Sequence, residues 1–527
     1  MTQMYTQTKE YWASPDLSLT ESDIEQIYNY FLEAERPQPI EKITQVIINH
    51  RIAEEKSKLK PRMEGRIIYQ PRKQYQVGDK LVFPALQFAH AEVTELRKGT
   101  NPQFGEFQVI AVNLNGKARE FSAGLEVEHP LNRGEGMDSI RLEEPDPDAL
   151  YEQFGEFLNE RISAVLEQNN EFIRLAGQWF VRGLMGEINI GHLHLSEAVL
   201  EISGGGPLPT PEILVHLDMP KNILPEVQEF SLNYALLNDA RFDEVAPPGR
   251  VSWFLRRLEP AYVREIPDRL AYKPHAYDRA LLGSQMHQLE RELDDEWSEF
   301  EWATVPRDVT FTLTYPHRAA GTLPLSSRIR PHFPLGISPR QLVSLVDKET
   351  GEEIPAWVSA EGRYVGGLTN WYEANDIPVG GYLKVSAGPR PGVVYIDYSR
   401  RPKARREWVR LGSIQNGQLA FHLDKRNVGC DYDDLLIVST EQTTAVDLLF
   451  RSGENQRRTL ASLLAQMMPS LGESGPQNAV HAKTLYSAVN MLRRTTPGAI
   501  FAELIRHPAF QTVGDQYWLF NPQKWQN

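Results

Sequence analysis

One cysteine, Cys430, occurs in 527 residues, which excludes an internal disulfide framework and any metal centre built on several cysteines. Long apolar runs are missing too: no stretch approaches the roughly 20 residues needed to cross a bilayer. The opening MTQMYTQTKEYWASPD shows neither a basic leader nor an apolar segment behind it. No secretory signal is therefore expected, and the cytoplasm is the expected compartment. Common catalytic signatures are lacking: there is no GxSxG, GxxxxGK[ST], HExxH or strand-borne GxGxxG. No convincing Asp with Glu-x-Lys, the set with which a restriction-type nuclease holds Mg²⁺, is found either. Neither enzymatic activity nor a cofactor or metal is expected. Positive charge is in deficit, with 56 Lys and Arg against 70 Asp and Glu. The resulting net charge of −14 argues against a protein that coats nucleic acid over its whole surface.

What is present is the composition of a folded chain, 41% hydrophobic and rich in Trp, Tyr and Phe, long enough for roughly three to five domains. Its charge is unevenly written. The segment 51–73 carries Arg51, Lys56, Lys58, Lys60, Arg62, Arg66, Arg72 and Lys73 against three Glu. SRRPKARREWVR gathers Arg400, Arg401, Lys403, Arg405, Arg406 and Arg410, whereas LERELDDEWSEFEW (289–302) is acidic with interleaved aromatics. Patches of both signs suit several partners or several neighbouring domains.

Along the chain, LTESDIEQIYNYFLEA predicts a helix capped by Thr20 and Asp23, and PQPIEKITQVIINHRIAEEK predicts a second. With a basic stretch and the strand-like RIIYQPRKQYQVGDKLVFP after them, the outline is that of a winged helix-turn-helix. Short strands separated by GD, KGTNP and FGEF predict a small antiparallel barrel next, with a turn at Gly78–Asp79. A helical region follows Pro147. His192 and His194 would point the same way on a strand, but no third ligand accompanies them. Gly204–Gly206 lacks a GK[ST] and reads as a turn rather than a phosphate cradle. From Asp308 the sequence is rich in short strands and turns, which suggests a second barrel, loosely similar to B3-type pseudobarrels. CDYDDLL (430–436) is acidic without a paired His and reads as a turn. Three helix candidates close the chain, the last opened by Thr496–Pro497.

One sentence is written twice. DARFDEVAPPGRVSWFL (239–255) and HPAFQTVGDQYWLF (507–520) each place a Phe, a polar turn with Gly, and a Trp inside a strand. Phe242 and Trp253 in one copy, and Phe510 and Trp518 in the other, are expected in cores. The closing copy, with Thr496, Pro497, Leu504, Phe510, Gly514, Trp518 and Leu519, resembles the HARE-type helix-turn-helix domain. That winged-helix module is found in the delta subunit of bacterial RNA polymerase and in chromatin- and restriction-linked proteins. The segment 188–258 resembles it more weakly. The resemblance implies DNA binding, or engagement of RNA polymerase without DNA contact.

The expected fold is therefore a multidomain α+β chain in which winged helix-turn-helix modules alternate with small antiparallel β-barrel domains. The expected division is a winged-helix-like domain over 1–75, a barrel over 76–130, a helical region with a HARE-like module over 146–260, a Pro-rich and acidic linker over 261–305, a barrel over 306–440 and a C-terminal HARE-type module over 446–527. The expected function is non-catalytic nucleic-acid binding, associated with transcription and directed at DNA. Phosphate contacts are assigned to Arg51, Lys56, Lys58 and Lys60, to Arg400, Arg401, Lys403, Arg405 and Arg406, and to Lys483, Arg493 and Arg494. The alternative is a protein scaffold engaging RNA polymerase or a defence complex, with the acidic 289–302 segment seated on a basic surface of the partner. Neither a membrane nor a small-molecule substrate is expected as a partner.

Overall fold

The computed structural model describes residues 5–14, 17–63, 66–83, 86, 89–114, 116–127, 146–304, 306–336 and 338–525. The chain divides into two units, Met1–Glu187 with Pro220–Phe230, and Ile188–Met219 with Ser231–Asn527. Each is a mixture of helices and sheets, so the α+β class holds. No helix among the described residues is long and apolar enough to cross a membrane.

In the first unit, the helix Glu21–Ala34 begins in the expected capping box: Thr20 Oγ1 accepts from the Asp23 amide at 3.2 Å, and Asp23 Oδ2 accepts from the Thr20 amide at 2.8 Å. It buries Ile27 and Phe31. A short strand β1 (Gln38–Pro39) leads into the helix Ile40–Met63. The chain then leaves this core. Strands β2 (Ile67–Ile68), β3 (Lys80–Phe83), β4 (Ala89–Lys98), β5 (Gln108–Leu114) and β6 (Lys117–Ala123) form a half-barrel sheet in that order, parallel only between β2 and β3. Tyr69, Tyr75, Phe83, Val93, Ile110 and Val112 give this sheet a core of its own. Gly78 makes the expected turn, with φ +96°.

The helix Pro147–Glu167 brings the chain back. It packs along Ile40–Met63, where Thr44 Oγ1 donates to Asn159 Oδ1 at 2.6 Å. Strands β7 (Phe172–Leu175) and β8 (Gln178–Val181) follow, and β8 pairs with β1 in the sheet order β1-β8-β7. The hairpin that completes this core is therefore 172–181 and not the RIIYQPRKQYQVGDKLVFP stretch read from sequence. The reason lies in the aromatics: Tyr69 and Phe83 stack on each other at 4.7 Å within the half-barrel, whereas Trp179 and Phe180 fill the helical core.

The second unit repeats the same order of elements twice. The helix Ile190–Ile202, strand β9 (Leu208–Pro209), the helix Thr210–Leu214 and the helix Pro225–Leu237, which enters this unit at Ser231, precede β10 (Phe242–Glu244) and β11 (Ser252–Leu255). The sheet order is β10-β11-β9. Gly206, in the turn before β9, has φ +119°, and a Cβ there would lie 2.4 Å from the Trp253 carbonyl oxygen. Only glycine fits, which explains the Gly204–Gly206 turn without a phosphate.

A seven-stranded sheet occupies the middle of this unit: β12 (Asp308–Thr312), β13 (Thr322–Pro324), β14 (Arg340–Asp347), β15 (Glu353–Ser359), β16 (Tyr364–Gly366), β17 (Tyr382–Ala387) and β18 (Val393–Tyr398). Its order is β12-β17-β18-β14-β15-β16-β13. The expected barrel is thus an open sheet ending at β12 and β13. It also contains a parallel pair, β14 with β18, which a purely antiparallel barrel would not.

Two long strands, β19 (Arg400–Gln415) and β20 (Gln418–Cys430), form a ribbon with β21 (Val438–Thr440) parallel to β19. Asn416 and Gly417, with φ +50° and +74°, turn it in two residues. The chain closes with the helix Leu460–Gly472, β22 (Val480–His481), the helices Ala482–Val489 and Pro497–Arg506, and the hairpin β23 (Phe510–Gly514) and β24 (Tyr517–Phe520). Its sheet order is β22-β24-β23.

The written-twice sentence is thus written three times. Trp179, Trp253 and Trp518 occupy the same position on the middle strand of their sheets, paired with Gln38, Leu208 and Val480. Phe172, Phe242 and Phe510 open the edge strands. All six are buried, as expected of the four recognised from sequence.

Candidate nucleic-acid interface

Arginines and lysines meet phosphate only where they are exposed and not already neutralised. Several residues assigned from sequence fail that condition. Arg51 is buried in the first unit, with Nη2 2.7 Å from Asp23 Oδ2 and Nη1 3.1 Å from the Tyr11 hydroxyl. Burial opposes ionisation of Asp23, yet hydrogen bonds from Arg51 and Thr20 outweigh it and hold the carboxyl below its ordinary value. Lys58 lies on an exposed helix face, bonded to Glu54 at 2.6 Å, and Lys56 is exposed beside it. The side chain of Lys60 falls outside the described residues.

In the second unit, Lys483 is buried against Asp433 at 2.8 Å and also bonds Glu292. Arg494 is 2% exposed and bridges Asp295 and Glu296, each at 2.6 Å. Arg493 is half-buried and donates to the Arg458 carbonyl at 2.7 Å. Neither Arg51, Lys483 nor Arg494 can reach a phosphate. The acidic 289–302 segment is likewise no free arm: Glu290, Asp294, Asp295 and Glu296 are buried and hold groups of the same unit. Asp294 takes Arg328 at 3.0 Å, and Glu296 faces His317 Nε2 at 3.2 Å. His192 and His194 sit on a helix rather than a strand, His192 closing a capping box with Asn189. The acidic turn after Cys430 is structural, because Asp431 holds Arg401 and Asp433 holds Lys483. Burial pushes the Cys430 thiol up to about 11. Among the described residues, no group of three or more His, Cys, Asp or Glu is placed to hold a metal ion.

The basic run on β19 is divided by its own geometry. Arg400 is fixed by Asp347 and Glu349, each at 2.8 Å, with its guanidinium 4.0 Å from the Tyr398 ring centroid. Arg401 bonds Asp431 at 2.7 Å and Glu407 at 3.0 Å; the Asp431 bond is the main reason its pKa is raised. These two anchor the ribbon. Beyond them Lys403, Arg405 and Arg406 are exposed and have no ion-pair partner among the described residues.

Successive residues of a strand face opposite ways, and directly paired residues share a face. One face of the ribbon therefore holds Arg406 opposite Asn427, Trp408 opposite Lys425, and Arg410 opposite Leu423. The other holds Glu407 opposite Arg426 and Val409 opposite Asp424. The carboxylates are sorted onto this second face, where Glu407 is taken by Arg401, and Asp424 by Arg426 at 2.8 Å. The first face carries no carboxylate between 406 and 410 or between 423 and 427. Trp408 is 57% exposed there, with Lys425 Nζ 4.8 Å from its ring centroid. Towards the turn the same face is apolar: Phe421 and Leu419 are buried with the C-terminal helices, which pack against that end of the ribbon.

Trp408, Lys425 and Asn427 were not assigned from sequence. The signal for them was present in Asn416–Gly417, the strongest short-range mark of a hairpin, flanked by strand-like residues. Folding the sequence at that point brings Lys425 opposite Trp408. No known protein family, curated protein or solved structure matches the chain.

Proposed function

We propose that this chain is a non-catalytic nucleic-acid-binding protein whose contact surface is the carboxylate-free face of the β19–β20 ribbon. We further propose that the three repeated helix–strand–helix–helix–hairpin units are winged-helix modules of the HARE type, acting as framework. The observation that carries the reading is the sorting of charge on the ribbon: Arg406 and Lys425, without an ion-pair partner among the described residues, share a face with an exposed Trp, Lys403 and Arg405 are exposed nearby on the same strand, and the neighbouring carboxylates are engaged on the opposite face. Such a surface attracts phosphate locally despite the chain's net charge of −14.

The helices that would enter a groove in a DNA-binding winged helix are poorly suited to it here. Pro497–Arg506 is buried from Pro497 to Leu504. Pro147–Glu167 presents Asp148, Glu152, Glu156 and Glu160 outward, a face that repels phosphate. A two-stranded ribbon is a fitting alternative, since it can lie against a nucleic-acid groove or backbone as a helix can. A transcription-associated role in the cytoplasm follows the HARE resemblance and is proposed on that ground.

A second reading is favoured by one observation. Ile190, Leu195, Ile202 and Val215 are exposed in the middle repeat, and exposed apolar side chains of this size suit a protein partner such as a polymerase or a defence complex.

The test is binding of labelled oligonucleotides in a salt series. With about four cations at phosphates, affinity for duplex falls roughly 10²-fold between about 50 and about 200 mM salt. The combined change Arg406→Glu and Lys425→Glu removes the binding. If no duplex and no single strand binds at the lowest salt, the nucleic-acid reading is wrong and the scaffold reading takes its place.

A further inference from the structure

We infer that the ribbon face takes an unpaired strand, with a base stacked on Trp408, in preference to duplex. The inference rests on the nucleic-acid reading above and concerns only which form of nucleic acid the site accepts. Trp408 is the one exposed tryptophan among the described residues. Lys425, its direct cross-strand partner, covers one side of the ring with Nζ 4.8 Å from the centroid. A cation on one side of an indole orders it and leaves the other side open. The ring is borne on a paired strand, not on a loop, so little conformational freedom is lost when something stacks on it.

An open, ordered aromatic face matches a base that has left its own stack. Bases in a duplex are already stacked on both sides and offer a protein only their edges. Trp has a single N–H donor and no acceptor with which to read those edges. The cations are disposed accordingly. Arg406 is two residues from Trp408 on the same face, roughly 7 Å along the strand, and lies opposite Asn427, whose side chain is exposed. Lys403 and Arg405, exposed on the same strand, add positive charge nearby, although Arg405 belongs to the opposite face. A groove or strip that tracks the backbone beside a stacking platform is the usual composition of single-strand sites. The chemistry named is that of an unpaired polynucleotide, and it is shared by DNA and RNA.

The experiment measures fluorescence polarisation of labelled oligo-dT, oligo-U and a mixed-sequence duplex with the full chain and with the variants Trp408→Ala and Trp408→Phe. At equal salt, a single strand binds at least about tenfold more tightly than duplex. Trp408→Ala weakens single-strand binding by roughly 5- to 150-fold, the loss expected of one stacked base, and leaves duplex binding nearly unchanged. Trp408→Phe, which keeps a ring, retains most of the affinity. Either oligonucleotide satisfies the inference, and the ratio between them names the sugar. Duplex bound as well as single strands, or a Trp408→Ala protein with unaltered single-strand affinity, overturns the inference and leaves the phosphate contacts standing. Absence of all binding overturns both.

Discussion

Replacing Arg494 by Ala separates its two conceivable roles. As a surface phosphate contact it would affect ligand affinity and leave stability alone. The structure assigns it the opposite character. Its Nη2 sits 2.6 Å from both Asp295 Oδ2 and Glu296 Oε1, and its Nη1 donates to the Thr495 carbonyl at 2.9 Å. Tyr486, fully enclosed, adds a hydroxyl on Asp295 at 2.6 Å. Removing the guanidinium leaves two buried carboxylates with one opposing group, His317, against Glu296 alone. Breaking a buried pair in this way costs about 3–5 kcal/mol, because the remaining charge stays desolvated. With a urea dependence of about 3 kcal/mol per M, the unfolding midpoint of the second unit falls by roughly 1–2 M. Urea titration followed by tryptophan fluorescence reads this. The triple change Arg494→Met, Asp295→Asn and Glu296→Gln restores most of the loss, since the charges then leave together. A midpoint unmoved by Arg494→Ala, or a triple variant no better than the single, would refute the reasoning.

His481 gives a pH test. Its Nδ1 accepts from the Lys483 amide at 3.1 Å and so caps the helix Ala482–Val489, a role only the neutral ring fills. Burial, then the charge of Lys483, depresses its pKa to about 4. A depressed histidine contributes stability above its unfolded value near 6.5 and loses it as pH falls towards 4, about 3 kcal/mol in all. The difference in unfolding free energy between the parent and His481→Asn, measured from pH 7 to pH 4, should shrink by that order; a difference constant with pH is the contrary result. In the middle repeat, Trp253 Nε1 donates to Thr210 Oγ1 at 3.1 Å and Asn233 Oδ1 at 2.9 Å, so Trp253→Phe removes the donor they share, leaves Thr210 and Asn233 bonded only to each other, and costs about 0.5–1.5 kcal/mol in thermal or urea unfolding. If Thr210→Val on top of it costs as much as it does alone, the pair is uncoupled. Excision of 66–145, with a short Gly-Ser linker in its place, leaves the β1-β8-β7 core folded, seen as retained helical circular dichroism and protease resistance of 21–63 and 147–181; rapid cleavage there is the opposing outcome.

Local signals in the sequence were reliable guides to local structure. Thr20 with Asp23 made the capping box, Gly78 made its turn, and Phe242, Trp253, Phe510 and Trp518 entered cores. The third repeat is not legible in the sequence because Gln38 and its partner Trp179 are separated by the half-barrel, so no contiguous stretch contains the motif. The basic runs misled for a related reason. Charge is visible in sequence, but its neutralising partner is not: Arg494 meets a carboxylate 199 residues away, and Lys483 one 191 residues away. On the ribbon the opposite happened. The charge of Arg406 is visible in sequence, while the residue that gives its face its character, Trp408, stands out only once strand parity separates both from Arg405 and Glu407.

The interruption of the first repeat also sets an order of events during synthesis. The helices Glu21–Ala34 and Ile40–Met63 emerge from the ribosome well before Pro147–Glu167 and the strand that carries Trp179. At translation speeds of about 5–20 residues per second, the intervening stretch of about 80 residues takes roughly 4–16 s to appear. Throughout that interval Phe31 lacks Phe172 and Phe180, the rings it packs against, whereas the half-barrel, with Tyr69 to Val112 in one run, can close as soon as it is made. The nascent chain thus exposes an unfinished apolar surface ahead of a finished domain. The second unit, whose two repeats are interrupted by no such sheet, imposes no comparable wait, and the demand for chaperone protection falls on the helices Glu21–Ala34 and Ile40–Met63.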